Sequence, residues 1–273
     1  MTEAPPPIRH SGLRKFRALL AFYSTEFSNY RAEFVIYLIG GTQPLIMLFI
    51  WVTLNNSGAL EGDYSSGYFI CYFLLIYAVR NCNAMWFTWA LDQEIREGDL
   101  SFKLLRPVHP YWNYLAYQLA DNVIRVPLMM IFLVAGMIAT GAYTELSVSH
   151  LPLALMGLFG GMAIHFYSNF LMGTLSFWME RTLGIEMMYY TLMLLLGGAI
   201  IPIEFFPDTV ETIIRCTPFP YILGFPVDVA MGNLSGPEML RGFAVQLAWI
   251  IGIGLLGRHL WIRGTKSYAG AGA

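Results

Sequence analysis

Apolar residues in this chain come in long runs separated by short polar interruptions. Six runs approach or exceed the roughly 20 residues that cross a bilayer's hydrocarbon: 34–54, 68–90, 112–141, 151–179, 184–201 and 240–262. The first carries an irregularity at Gly40, Gly41 and Pro44. In hydrocarbon every backbone polar group must be satisfied within the protein, and runs of this length do so as helices. The pattern predicts an all-α membrane protein with six spans.

The interruptions carry more information than the runs. Residues 11–31 mix Arg14, Lys15, Arg17 and Arg31 with Leu13, Phe16, Leu20 and Phe27. This reads as a basic amphipathic helix lying in the membrane interface. The competing reading is a ragged start to the first span, but Glu26, Asn29, Arg31 and Glu33 break the apolar run there. Residues 92–110, DQEIREGDLSFKLLRPVHP, form a charged island with an apolar centre of Leu100, Phe102, Leu104 and Leu105. Arg106 precedes Pro107, and a residue before proline is pushed out of helical geometry, so a short helix should stop there. Spacing alone fits equally a docking element for a cytoplasmic partner and an interfacial helix resting on headgroups. Residues 202–237 are too apolar for a solvated loop, yet are cut by Pro202, Pro207, Pro218, Pro220, Pro226 and Pro237. A pair of short helices that dips into the outer leaflet and returns satisfies both facts.

Charge placement orients the chain. Loops 55–67 and 142–150 contain no Lys or Arg and should lie outside. The island with Arg96, Lys103 and Arg106, the turn with Arg181, and the tail with Arg258, Arg263 and Lys266 should lie inside with both termini. Trp86, Trp89, Tyr111 and Trp112 would mark the inner headgroup level. Composition agrees: 56% of residues are hydrophobic and 12% charged, against about 25% charged in soluble domains. Residues 1–7 are polar and proline-rich, unlike a cleavable signal peptide. Cys71, Cys82 and Cys216 match neither a disulfide framework nor a zinc site.

Motif chemistry is sparse. The chain has no Gly-x-x-x-x-Gly-Lys-Ser/Thr phosphate cradle and no His-Glu-x-x-His, and no nucleophile constellation stands out. Nucleic acid is not an expected partner. Charges at membrane depth are the default functional suspects. Arg80, Asp121 and Arg125 fall at comparable depth on adjacent spans, either as a helix-locking ion cluster or as a substrate or gating contact. His165 reads as an interhelical hydrogen-bond partner, and Glu186 as interfacial. Aromatic residues (15%) and 15 methionines suit packing, with some able to line a pathway.

Taken together, the basic N-terminal helix, six spans, cytoplasmic helix and proline-broken hairpin resemble an ABC-2 type transporter permease. The stretch 94–108, EIREGDLSFKLLRPV, the preceding 86–92, and the terminal Arg263-Gly264-Thr265-Lys266-Ser267-Tyr268 are similar to a bacterial branch that includes exporters of daunorubicin-type drugs and viologen. The resemblance implies residues 1–31 as a cytoplasmic, interfacial N-terminus and 32–273 as the permease domain. Within that domain it implies a coupling helix near 92–107 and an outer hairpin near 202–237. ATPase coupling would fall to Glu97, Asp99, Leu100, Phe102, Lys103, Leu104, Leu105 and Arg106. Phe205, Phe206, Phe219 and Phe225 would plug the outer end. No cofactor is expected on this chain; ATP and Mg would sit on a separate ATPase subunit, beside a second permease copy or a related permease, in the bacterial inner membrane. The other classes weighed are an ion-gradient-driven secondary transporter, which usually shows internal repeats, and a membrane enzyme or assembly scaffold. A neighbouring ATPase gene discriminates among them.

Overall fold

The computed structural model describes residues 12–29, 42–60, 62, 64–85 and 87–268. The expectations for Gly40, Gly41, Trp86 and the first part of span 34–54 lie outside the described residues. All regular structure among the described residues is helical. In chain order the helices are α1 (Gly12–Asn29), α2 (Gln43–Asn56), α3 (Ser66–Cys82), α4 (Phe87–Glu97), α5 (Leu100–Leu104) and α6 (Pro110–Thr140). They continue with α7 (Leu151–Thr174), α8 (Leu183–Leu196), α9 (Asp208–Arg215), α10 (Gly224–Met231) and α11 (Gly236–Ser267).

Local chemistry places these ends. The Ser65 hydroxyl accepts from the Tyr68 N–H at the start of α3, and His109 Nδ1 accepts from the Tyr111 N–H at the start of α6. Ser235 and Glu238 form a reciprocal cap on α11, with Pro237 in the first turn. Such caps satisfy donors that a helix start leaves orphaned.

Four stretches are long and apolar enough to cross a membrane: Ser66–Glu97 taken through its break, Pro110–Thr140, Val148–Phe177 and Gly236–Ser267. α8 is a shorter apolar helix, and α2 is described over 14 residues. α3 is the central element, nearly all of it buried from Phe69 to Cys82. It packs on α2, α6 and α10, while α7 packs along α11 and against α10. α1 lies against α6, with Phe16 edge-on to Trp112 at 5.9 Å and Tyr23 to Tyr117 at 5.5 Å.

α11 packs closely on its neighbours because its glycines admit them. A side chain at Gly242 would meet Phe225, and one at Gly264 would meet Phe177. Small residues at helix interfaces let packing replace the hydrophobic drive that lipid does not supply. The outer faces of α6 and α11 expose Ile131, Phe132, Ile138, Leu247, Ile251 and Leu255, as lipid-facing surfaces should.

The molecule has two distinct ends. At one, Ser65 donates to Glu145 at 2.7 Å, Tyr68 to Glu204 at 2.6 Å, and Asn233 to the Tyr68 hydroxyl at 3.1 Å. At the other, the α4–α5 segment meets the ends of α6, α7 and α11, and Arg96, Arg106, Arg181, Arg258 and Arg263 are exposed. We call this the basic end.

Two predicted spans are shorter than the apolar runs. Run 68–90 is not one helix: α3 stops at Cys82 and α4 starts at Phe87. Run 184–201 ends as helix at Leu196, and Gly197–Ile201 is irregular. Gly198 has φ +87°, a left-handed conformation that costs glycine little. The proline-broken segment therefore begins earlier than Pro202. Its two short helices, α9 and α10, were expected.

Candidate functional site

The charged island folds as an elbow at the basic end. α4 ends at Glu97 and turns at Gly98, whose φ of +89° favours glycine. α5 follows, and its helix stops at Leu104, two residues before Arg106. The elbow is braced from within. Leu100 is fully buried in a cluster with Phe87, Leu91, Ile95, Tyr114, Phe166, Phe170 and Trp261. The Lys103 ammonium donates to Glu94 and sits 4.8 Å above the Tyr114 ring, whose hydroxyl donates to Glu94 at 2.6 Å. Ser176, just past α7, donates to Asp92 at 2.6 Å. Tyr268 returns beside Phe177, 5.6 Å between ring centroids.

This bracing divides the predicted coupling residues. Phe102 is 67% exposed, Leu105 84% and Leu104 39%, and Glu97, Asp99 and Arg106 are exposed around them. Leu100 is not on that surface; it anchors α5 to the helix bundle. Lys103 is spent on Glu94 and Tyr114 rather than standing at a free rim. The surface is a patch of three large apolar side chains on a held scaffold.

The three charges expected at one depth make different direct contacts. Asp121 and Arg125 pair at 2.7 Å along α6, as i, i+4 spacing allows. Arg125 also donates to the Ala84 carbonyl at 2.9 Å and to Asn122 at 2.7 Å. Arg80 instead donates to Gln43 at 3.1 Å. The Arg125 contacts tie α6 to the segment between α3 and α4. The carbonyls freed by the α3–α4 break are taken up by side chains: Ala84 by Gln118 and Arg125, Cys82 by Asn122, and Met85 by Tyr190. His165 bonds the Tyr189 hydroxyl at 2.7 Å, the interhelical partnership expected.

The segment 197–237 is sealed in the same manner. Tyr72 donates to the Gly198 carbonyl at 3.0 Å, Gln43 to Ala199 at 3.1 Å, and Trp51 to Ile200 at 2.9 Å. Deeper in, Gln246 donates to the Tyr221 carbonyl at 3.0 Å and Asn83 to Ile222 at 3.2 Å. Unpaired backbone groups in hydrocarbon cost several kcal/mol each, which these donors avoid. Tyr221, Ile222 and Leu223 are buried, as is α10 almost throughout.

The four phenylalanines do not meet as a plug. Phe205 packs on Trp51 at 4.8 Å, Phe219 on Tyr189 at 5.7 Å, and Phe225 on Phe243 at 5.0 Å. Phe206 is half-buried. Phe205, Phe219 and Phe225 fill different helix contacts, and no two of the four are ring partners among the described residues.

The sequence reading passed over the donors that seal the breaks: Gln43, Trp51, Tyr72, Asn83, Gln118, Asn122, Tyr190 and Gln246. The available signal was amides inside apolar runs, which need partners there. Among the described residues no group of three or more His, Cys, Asp or Glu side chains is placed to hold a metal.

Residues 41–272 match the family model described as ABC-2 family transporter protein. No curated protein matches the chain.

Proposed function

The chain belongs to the ABC-2 transporter family, and from that membership we propose that it is the membrane-spanning permease of an ATP-driven exporter. Membrane subunits of this family are multi-pass, generally work with an ATPase subunit and carry no ATPase site of their own. On our reading, α2 and α8 complete six spans, the basic end faces the cytoplasm of a bacterial inner membrane, and both termini lie there. α1 rests at that face against α6. ATP and Mg are bound by the separate subunit, and a second permease copy or a related permease completes the complex. The cargo is a hydrophobic or amphipathic molecule, and segment 197–237 closes the outer end.

The observation that carries this reading is the α5 surface. Phe102, Leu104 and Leu105 stand out from an elbow that Leu100, Lys103 and Asp92 hold in place. A rigid helix tip offering apolar side chains transmits movement from a partner; a floppy one does not. The positive-inside distribution supports a cytoplasmic partner. The test is purification of the chain from its native membrane, with identification of what accompanies it. An ABC ATPase retained by the native chain and lost from Phe102→Asp supports the proposal. Retention of the same ATPase by that variant, with unchanged ATP-linked transport, overturns it.

A further inference from the structure

A groove of about 640 Å³ opens at the basic end between the start of α6, the second half of α7 and α11. Part of its lining is apolar: Ile250 and the exposed Ile251 and Leu255, with Gly254 leaving room beside the Tyr167 ring. A side-chain carbon at Gly254 would sit 3.5 Å from that ring. Its mouth is polar and cationic. Arg258 lies there with His109, whose Nδ1 is occupied by the Tyr111 N–H and whose ring leans on Trp261 at 5.5 Å. Tyr111 and Tyr167 bond through their hydroxyls at 3.3 Å.

Arg258 is exposed and takes part in no ion pair among the described residues. The other charged side chains on this part of α11 are Arg263 and Lys266, and no Asp or Glu is among the residues that line the groove. Depth fits as well. Arg258 lies about 22 residues along α11 from Gly236, ~33 Å at the helical rise, against a hydrocarbon core about 30 Å thick. With Gly236 at one headgroup layer, Arg258 reaches the other, and Ile250 to Leu255 lie within the acyl region beneath it.

We propose that this groove binds one anionic glycerophospholipid, its acyl chain beside Gly254 and its phosphate at Arg258 and His109. Charge complementarity selects the headgroup, and the missing side chain at Gly254 admits the chain. The site is separate from the α5 surface, so its fate does not depend on the ATPase reading.

The test is native mass spectrometry of the purified full chain in detergent, titrated with dioleoyl phosphatidylglycerol, dioleoyl phosphatidylcholine or glycerol 3-phosphate. One phosphatidylglycerol should be retained at about fivefold lower concentration than phosphatidylcholine, the scale of one arginine at a membrane surface. Arg258→Gln, an exposed change that leaves the fold intact, should erase that preference. Gly254→Leu should remove the retained lipid altogether, and glycerol 3-phosphate should not bind. Equal retention of the two lipids overturns the proposal, as does an undiminished preference in Arg258→Gln. Saturable binding of glycerol 3-phosphate makes the site a free-phosphate site instead. Efficient cross-linking of Ile251→Cys between copies in membranes makes the groove a protein interface and rejects the lipid.

Discussion

Segments 92–110 and 197–237 both place large apolar side chains outside a continuous span, and they dispose of them in opposite ways. In 197–237 the apolar residues turn inward: Ile222, Leu223, Val227 and Val229 are at most 1% exposed, and tyrosine, tryptophan and amide donors close the freed carbonyls. In the elbow the scaffold is satisfied by Glu94, Asp92 and Leu100, while Phe102 and Leu105 remain outside. Proline content alone does not separate the two. The difference is whether the surrounding helices supply a cover. Where they do, the segment is part of the core; where they do not, the side chains stay exposed, and on our reading a partner covers them.

This contrast can be broken in several ways. The largest effect should come from the lock at the α3–α4 break. Arg125→Met removes one partner of the buried Asp121–Arg125 pair together with the donors to Ala84 and Asn122, a loss of about 3–5 kcal/mol. The folded yield in detergent and the midpoint of thermal unfolding should both fall sharply; a midpoint within a degree of the native chain would mean that the break is sealed otherwise. Next is Leu100→Ala. As a buried anchor its loss should cost about 2–5 kcal/mol, whereas Leu105→Ala should leave the unfolding midpoint unchanged. Equal effects of the two would erase the division between anchor and surface. Phe102→Asp sharpens the comparison from the other side. Burial of one large side chain is worth roughly 1.5–3 kcal/mol, so affinity for the ATPase measured by titration should drop about ten- to a hundredfold, with thermal stability retained. The smallest effect is expected at Trp51→Phe, which keeps an aromatic ring against Phe69 and Phe205 but leaves the Ile200 carbonyl unpaired. A cost of about 1–3 kcal/mol should appear as faster amide exchange around residues 200–203 rather than loss of the fold.

The helical class and the positions of the long spans were legible because runs near 20 residues admit few other structures. The elbow was legible from its prolines and its mixed charge, and the two short helices α9 and α10 from the conflict between apolar content and proline. The breaks at 83–86 and 197–201 were not. Asn83 and Gly198 sit inside apolar runs, and hydropathy does not register a backbone kink that a distant side chain repairs. Depth on a helix suggested that Arg80, Asp121 and Arg125 would meet; it fixes height but not azimuth, and Arg80 faces Gln43 on α2 while Arg125 faces the α3–α4 break. Leu100 was grouped with Phe102 and Leu105 because all three are apolar neighbours. On a five-residue helix neighbours point in different directions, and only the packing of Tyr114 and Trp261 decides which one is inside.

The central claim is that the exposed face of α5 is covered by the ATPase subunit. It is tested most directly by a photo-crosslinking residue placed at Leu105, and separately at Leu100, in cells that carry the native complex. The account predicts an adduct from position 105 with the mass of the permease joined to an ABC ATPase, and none to that subunit from position 100. Adducts from position 105 to membrane lipid alone would contradict it and make α5 an interfacial helix resting on headgroups.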